Sequence, residues 1–338
     1  MRKAFHSTLK KIIAATLAVA TMPALAACDS TVPQIQSSSS STQQPVVTKQ
    51  TEEKIRKQIL DALNASDSAK SADGLSAHVE GPELAVRTSQ LEIAKSTNKM
   101  DKRSTIPSKI SQTVIPTDSS WPRSIFTITT TTDDQQSQRL LVLNQESARS
   151  NYKLWGVARL FQGAQLPAFE VPDIGSSMGK ADDSGLVSTP QDAVAHYADV
   201  LQNGSKSKYA NEFEDDQLRQ DLAELTADVD KVMSQGNKGS QSQVFKPQAD
   251  QIRIMRSPKG GDLVVAQINS EWMRKCGEGR ECLPASDAEK VLFGNSKATS
   301  AIKVTYVNVV ALFVPSETSK DKIQAVGAER QAVKVEVQ

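Results

Sequence analysis

The apolar residues of this chain change their spacing near Ile110, and that change sets the fold class. Before it, Thr51-Glu52-Glu53 offers a capping hydroxyl and first-turn acids, and Ile55, Ile59, Leu60 and Leu63 follow at helical spacing. A second apolar segment, Leu84 to Ala94, fits helix or strand, and Lys95 to Ser108 is polar. From Ile110 the segments shorten and become rich in Ile, Val, Thr and aromatics. Ile110–Ile115, Ser124–Thr132, Leu140–Leu143 and Tyr152–Phe161 read as strands, with a turn at Asp133-Asp134-Gln135.

The same order then returns. Thr189-Pro190-Gln191-Asp192 gives a cap, a first-turn proline and a first-turn acid, and Val194, Tyr197 and Leu201 mark an apolar helix face. A longer helix carries the stripe Leu218, Leu222, Leu225, Val229 and Val232, ending near Gly236. Strands are expected at Gln251–Arg256, Leu263–Ile268, Ala301–Val314 and Ala325–Val337, with a hairpin turn at Pro258-Lys259-Gly260-Gly261. Helices segregated from strands indicate an α+β fold. The reading is two consecutive helix-then-antiparallel-sheet domains, at 50–172 and 188–338, joined by a linker at 173–187. Their element order resembles two cystatin-like or nuclear-transport-factor-2-like cones, in which a curved sheet wraps around helices. That fold hosts enzymes and binders alike.

The first 49 residues speak to location. Arg2, Lys3, Lys10 and Lys11 precede a short apolar run, Ile12 to Ala26, and no acid occurs before Asp29. This is the pattern of an export signal, read as residues 1–27. The run is too short, and too interrupted by Pro23, for a membrane helix of roughly 20 apolar residues. Leu25-Ala26-Ala27-Cys28 resembles a bacterial lipobox, which implies a thioether-linked diacylglycerol on Cys28. Two acyl chains make a stable anchor where one does not. Residues 28–49 are the lipidated cysteine and a tether of Ser, Thr, Gln and Pro. Such a tether buries too little apolar surface to offset its chain entropy. The expected location is outside the cell, on the outer face of the cytoplasmic membrane.

Removing residues 1–27 takes four basic and no acidic side chains from the 40 and 39 of the whole chain, leaving a balance of −3. That excludes the basic excess of a nucleic-acid binder. Aromatic residues make up 4%, which weakens any carbohydrate-binding reading that needs stacking platforms. Beyond Cys28, Cys276 and Cys282 bracket the loop CGEGREC and are expected to form a disulfide in an exported chain.

Tyr152 to Gly175, YKLWGVARLFQGAQLPAFEVPDIG, and Gly185 to Gly204, GLVSTPQDAVAHYADVLQNG, are similar to an uncharacterised family of actinobacterial lipoproteins. The resemblance covers most of the chain after Cys28. It implies a high-GC Gram-positive cell surface and assigns no activity or catalytic residue.

The search for chemistry yields little. No H-E-x-x-H, P-loop or EF-hand pattern occurs, so no cofactor or metal is expected. S-x-x-K at Ser96, Ser150, Ser205 and Ser319 lacks the companion S-D-N and K-T-G motifs. His196 reads as structural. The run Glu212, Glu214, Asp215 and Asp216 reads as favourable charge at a helix start. Trp155 and Trp272 read as core anchors, and Trp121, before Pro122, as the tryptophan most open to solvent. The expected function is a non-catalytic binding or accessory module for an envelope protein or wall polymer. An ABC-transporter solute-binding lipoprotein and an unrecognised envelope hydrolase are the alternatives.

Overall fold

Thr48, not Thr51, caps the first helix: its hydroxyl accepts from the Thr51 amide at 3.2 Å. A computed structural model of the chain describes residues 43–131, 137–235 and 238–338. The export signal, Cys28, most of the tether and the turn at 133–135 lie outside the described residues. Helix α1 (Lys49–Ala69) ends on Lys70 in the left-handed region at φ 49°. Helix α2 (Gly81–Thr97) settles the ambiguous Leu84–Ala94 segment as helix, with Pro82 in its first turn and Asn98 closing it at φ 56°.

Four strands follow as a meander: β1 (Ile110–Val114), β2 (Arg123–Thr129), β3 (Arg139–Gln145) and β4 (Lys153–Leu160). The second half repeats the plan with α3 (Pro190–Asn203), α4 (Gln217–Gln235), β5 (Ser240–Arg256), β6 (Asp262–Lys275), the short α5 (Asp287–Phe293), β7 (Ala301–Val314) and β8 (Gln324–Val337). Thr189 caps α3 as expected, accepting from the Asp192 amide at 3.2 Å. The turn after β5 closes through Gly260 N–H to Ser257 O, with Gly260 and Gly261 at φ 90° and 85°.

The two separate sheets expected from the sequence are one. All eight strands are antiparallel in the order β1-β2-β3-β4-β8-β7-β6-β5, so the two meanders join through β4 and β8. Strand faces explain why. Leu141 and Leu143 of β3 face α1 and α2, whereas Leu140 and Val142 face Leu263, Val265, Val309 and Ala311 of the other meander. The opposite faces of those strands, Val264, Ala266, Val310 and Leu312, lie under α3. The half-sheets therefore pack on each other, with helices outside. Either half alone would expose an apolar face, and that burial is the main favourable term in folding. Residues 43–338 form one compact unit.

Other contacts cross the joint. Ser89 of α2 donates to Ala332 O of β8 at 2.6 Å. The stretch read as a linker is tied to both meanders, with Ser176 N–H on Ile115 O, Gly179 N–H on Ile254 O, and Asp183 paired with Arg256 at 2.5 Å. The segment 173–187 is thus a packed connection on a single sheet and not a boundary between separate sheets.

Two further expectations change. The α4 stripe is buried only at Leu218 and Leu222, while Val232 is 69% exposed. This helix lies over β5, whose first half is polar and open to solvent. The sequence reading also missed α5, which at seven residues is too short to show a helical period.

Candidate functional site

At the start of the folded unit a cleft of about 390 Å³ opens between α1, the turn after it, and the β3–β4 hairpin. Val46, Val47, Ile55 and Ile59 make one apolar side. Val46 is fixed by its amide bond to Pro116 O at 2.9 Å, so the chain leaving the tether already belongs to the wall. The other side is polar and aromatic. His78 is positioned by its backbone, since its carbonyl accepts from Leu154 N–H at 2.9 Å.

Trp121 stands at the rim, 41% exposed, as the sequence suggested. Its indole N–H donates to Gln145 Oε1 at 3.3 Å, and the Arg123 guanidinium lies 3.9 Å from the ring centroid. Arg123 is itself held by the carbonyls of Ser120 (Nε, 3.2 Å) and Ser119 (Nη2, 2.7 Å). A cation over an indole face is attracted by the ring quadrupole, so ring and guanidinium hold each other in place. Tyr152 lines the inner wall and is 7% exposed. Its hydroxyl is buried without a hydrogen-bond partner. Burial pushes that hydroxyl's pKa up to about 12, against the lowering effect of Arg123. Buried polar groups are nearly always paired, so an orphan at a cleft wall asks for an explanation.

Two larger clefts are less suggestive. One, of about 590 Å³, separates α3 and α4 from β5. Gln241 Nε2 donates to Thr226 O and Asp230 Oδ1, and Gln243 Nε2 donates to Thr226 Oγ1, while Gln243 Oε1 is buried and unpartnered among the described residues; this cleft has no exposed aromatic ring and no fixed guanidinium beside one. The other, of about 510 Å³, lies at the start of α4 beside Glu214, Asp215 and Asp216. Here the acidic run acts as the sequence suggested. Asp216 Oδ1 accepts from the Arg219 amide and from Tyr197 OH, both at 3.0 Å, and Asp215 pairs with Arg219 at 3.4 Å. Burial raises the Asp216 pKa.

His196 is bonded to Glu212 at 2.7 Å and stacked on Tyr209, a structural arrangement. Trp155 and Trp272 are buried. Cys276 and Cys282 are joined in a disulfide, with Cα atoms 5.4 Å apart. Gly175-Ser176-Ser177-Met178-Gly179 has the G-x-S-x-G spacing of a nucleophile elbow, a pattern that the sequence reading wrongly took to be absent. The elbow needs a strained strand-to-helix turn. Here the stretch is a connection bridged to Pro116 and Met255.

Among the described residues, no cluster of three or more His, Cys, Asp or Glu side chains is arranged to hold a metal ion, and no helix is long and apolar enough to cross a membrane. The sequence marked only Trp121 of the cleft; Arg123 two residues on was the missed signal, while His78 and Tyr152 join it only through folding. No curated protein and no solved structure matches the chain. A family model described as "Domain of unknown function (DUF8094)" matches residues 43–336, nearly all of the folded unit, and the chain belongs to that family.

Proposed function

We propose that this protein is a non-catalytic binding module of the cell envelope, anchored by a diacylglycerol on Cys28 to the outer face of the cytoplasmic membrane. Its partner is an envelope protein or wall polymer, held in the cleft beside Trp121. The lipobox Leu25–Cys28, the tether and the resemblance to actinobacterial lipoproteins support the location. The observation that carries the binding role is the cleft itself. It is concave, with an apolar side and a polar side, and within the usual size range of ligand sites. A solute-binding lipoprotein of two α/β lobes gains no support from an all-antiparallel sheet.

Intact-mass analysis of the membrane-bound protein tests the anchor, and an unmodified Cys28 there would refute it. Crosslinking in intact envelope, compared between the native chain and Cys28→Ala, tests the binding role. A reproducible partner that depends on Trp121 supports it. Turnover of a wall-derived substrate, abolished by a single Asp or Glu change, would overturn the non-catalytic reading.

A further inference from the structure

We propose that the cleft formed by Trp121, Arg123, His78 and Tyr152 binds an anionic saccharide, a sugar unit carrying a phosphate or carboxylate. The proposal rests on the binding-module reading and names its ligand class.

The first argument is charge. Arg123 lines the cleft, and none of the described lining residues is acidic. The chain from Cys28 onward has a balance of −3, so the cleft runs against the overall sign. Arg123 is committed through Nε and Nη2 to backbone carbonyls, which leaves Nη1 without a hydrogen bond among the described residues. A fixed guanidinium with a spare N–H edge suits a phosphate or carboxylate oxygen.

The second is the pattern of unused hydrogen-bonding groups. The Tyr152 hydroxyl, unpartnered among the described residues, is sealed behind the wall and keeps that wall polar without itself meeting a ligand. Gln58 and Asn151 line the same cleft with exposed side chains. Amides offer a donor and an acceptor side by side. That mixture matches the hydroxyls of a sugar ring better than the backbone of an extended peptide.

The third is the ring surface. Scarce aromatics argue against a long stacking platform, but a site for one sugar needs a single exposed indole. Trp121 is the one tryptophan with a large exposed area, and it is held rigid by Gln145 and Arg123. A rigid aromatic with a polar rim supplies contact area at low entropy cost.

The test is isothermal titration of the full chain with glucose 1-phosphate, glucuronate, glucose and inorganic phosphate. The two anionic sugars should bind more tightly than glucose or phosphate alone. Arg123→Gln should weaken anionic-sugar binding roughly tenfold, the loss expected for a charge-assisted hydrogen bond. Trp121→Ala, which removes the exposed ring, should weaken binding of both sugar classes while leaving the fold intact by circular dichroism. Anionic phosphatidylglycerol vesicles, with and without glucose 1-phosphate as competitor, tell a lipid headgroup from a wall sugar as the source. Vesicle binding that glucose 1-phosphate displaces would assign the site to a phosphate headgroup and overturn the saccharide; no vesicle binding leaves the anionic sugar as the ligand. Equal binding of glucose and glucose 1-phosphate, no binding of either anionic sugar, or anionic binding unchanged in Arg123→Gln would overturn it. If no sugar binds while Trp121-dependent crosslinks to an envelope protein persist, the saccharide assignment fails and the binding-module reading stands.

Discussion

A β-carbon on Gly327 would lie 2.6 Å from the carbonyl oxygen of Arg159. The two residues meet where β8 pairs with β4, through Arg159 opposite Ala328 and Leu160 opposite Gly327. This short pairing joins the two meanders, and only a residue without a side chain fits there. Gly327→Ala should therefore lower stability by about 2 kcal/mol, in the range of overpacking changes. A urea melt gives the value; an unchanged midpoint would show that the joint tolerates a wider gap.

Glu83 supplies a pH signature. It is buried against Arg87, 3.8 Å away, and its pKa is pushed up to about 8 by burial, with Arg87 opposing and Glu329 and Asp67 adding to the rise. A carboxyl with a raised folded-state pKa contributes stability that is fully present below its ordinary value of 4.5 and is lost as pH climbs through 8. Urea midpoints should fall across that window from this group. Glu83→Gln should flatten the fall and leave the protein more stable than wild type at its upper end. A variant that follows the wild-type slope would remove Glu83 as the cause.

The Cys276–Cys282 disulfide closes a small loop, so the loop-entropy argument gives it about 2–3 kcal/mol. It sits at the end of β6, where the chain returns through Cys276 N–H on Ser300 O and Cys282 N–H on Thr299 O. The adjoining pair is Arg274 and Glu289. Cys282→Ser should lower the unfolding free energy by that amount without affecting the Trp121 cleft. Non-reducing peptide maps of the native protein should show no alkylated Cys276 or Cys282.

Cutting the chain within 173–187 should not release two domains. The stretch is partly exposed, with Ile174 at 54%, so a protease can reach it. The halves should nevertheless elute together, held by β4–β8, by Ser89 on Ala332 and by the buried face between the meanders. Two separable folded fragments on gel filtration would restore the two-domain division.

Helix spacing, the α3 cap and the turn glycines were legible because they are local, whereas the α1 cap lies three residues before the threonine that the sequence suggested. Thr189, Pro190 and Asp192 announce α3, and Gly260-Gly261 announces the hairpin after β5. The joining of the halves was not legible, because it depends on which partner covers a strand's second face. Leu140 to Leu143 reads as a buried strand whether its inner residues meet a helix or another sheet. The cleft was legible in one residue. Trp121 beside a proline stood out, but the hydroxyl of Tyr152 acquires meaning only when folding buries it and leaves it unpaired.

The joint also dictates an order of events. Strand β8 is the last element of the chain, yet it lies in the middle of the sheet, with β4 on one side and β7 on the other. Until it arrives, the first meander keeps β4 as a bare edge and the second lacks its inner border. Pairings this distant in sequence form slowly. The sheet therefore cannot close across its middle until residues 324–337 have been made and have reached β4 and β7.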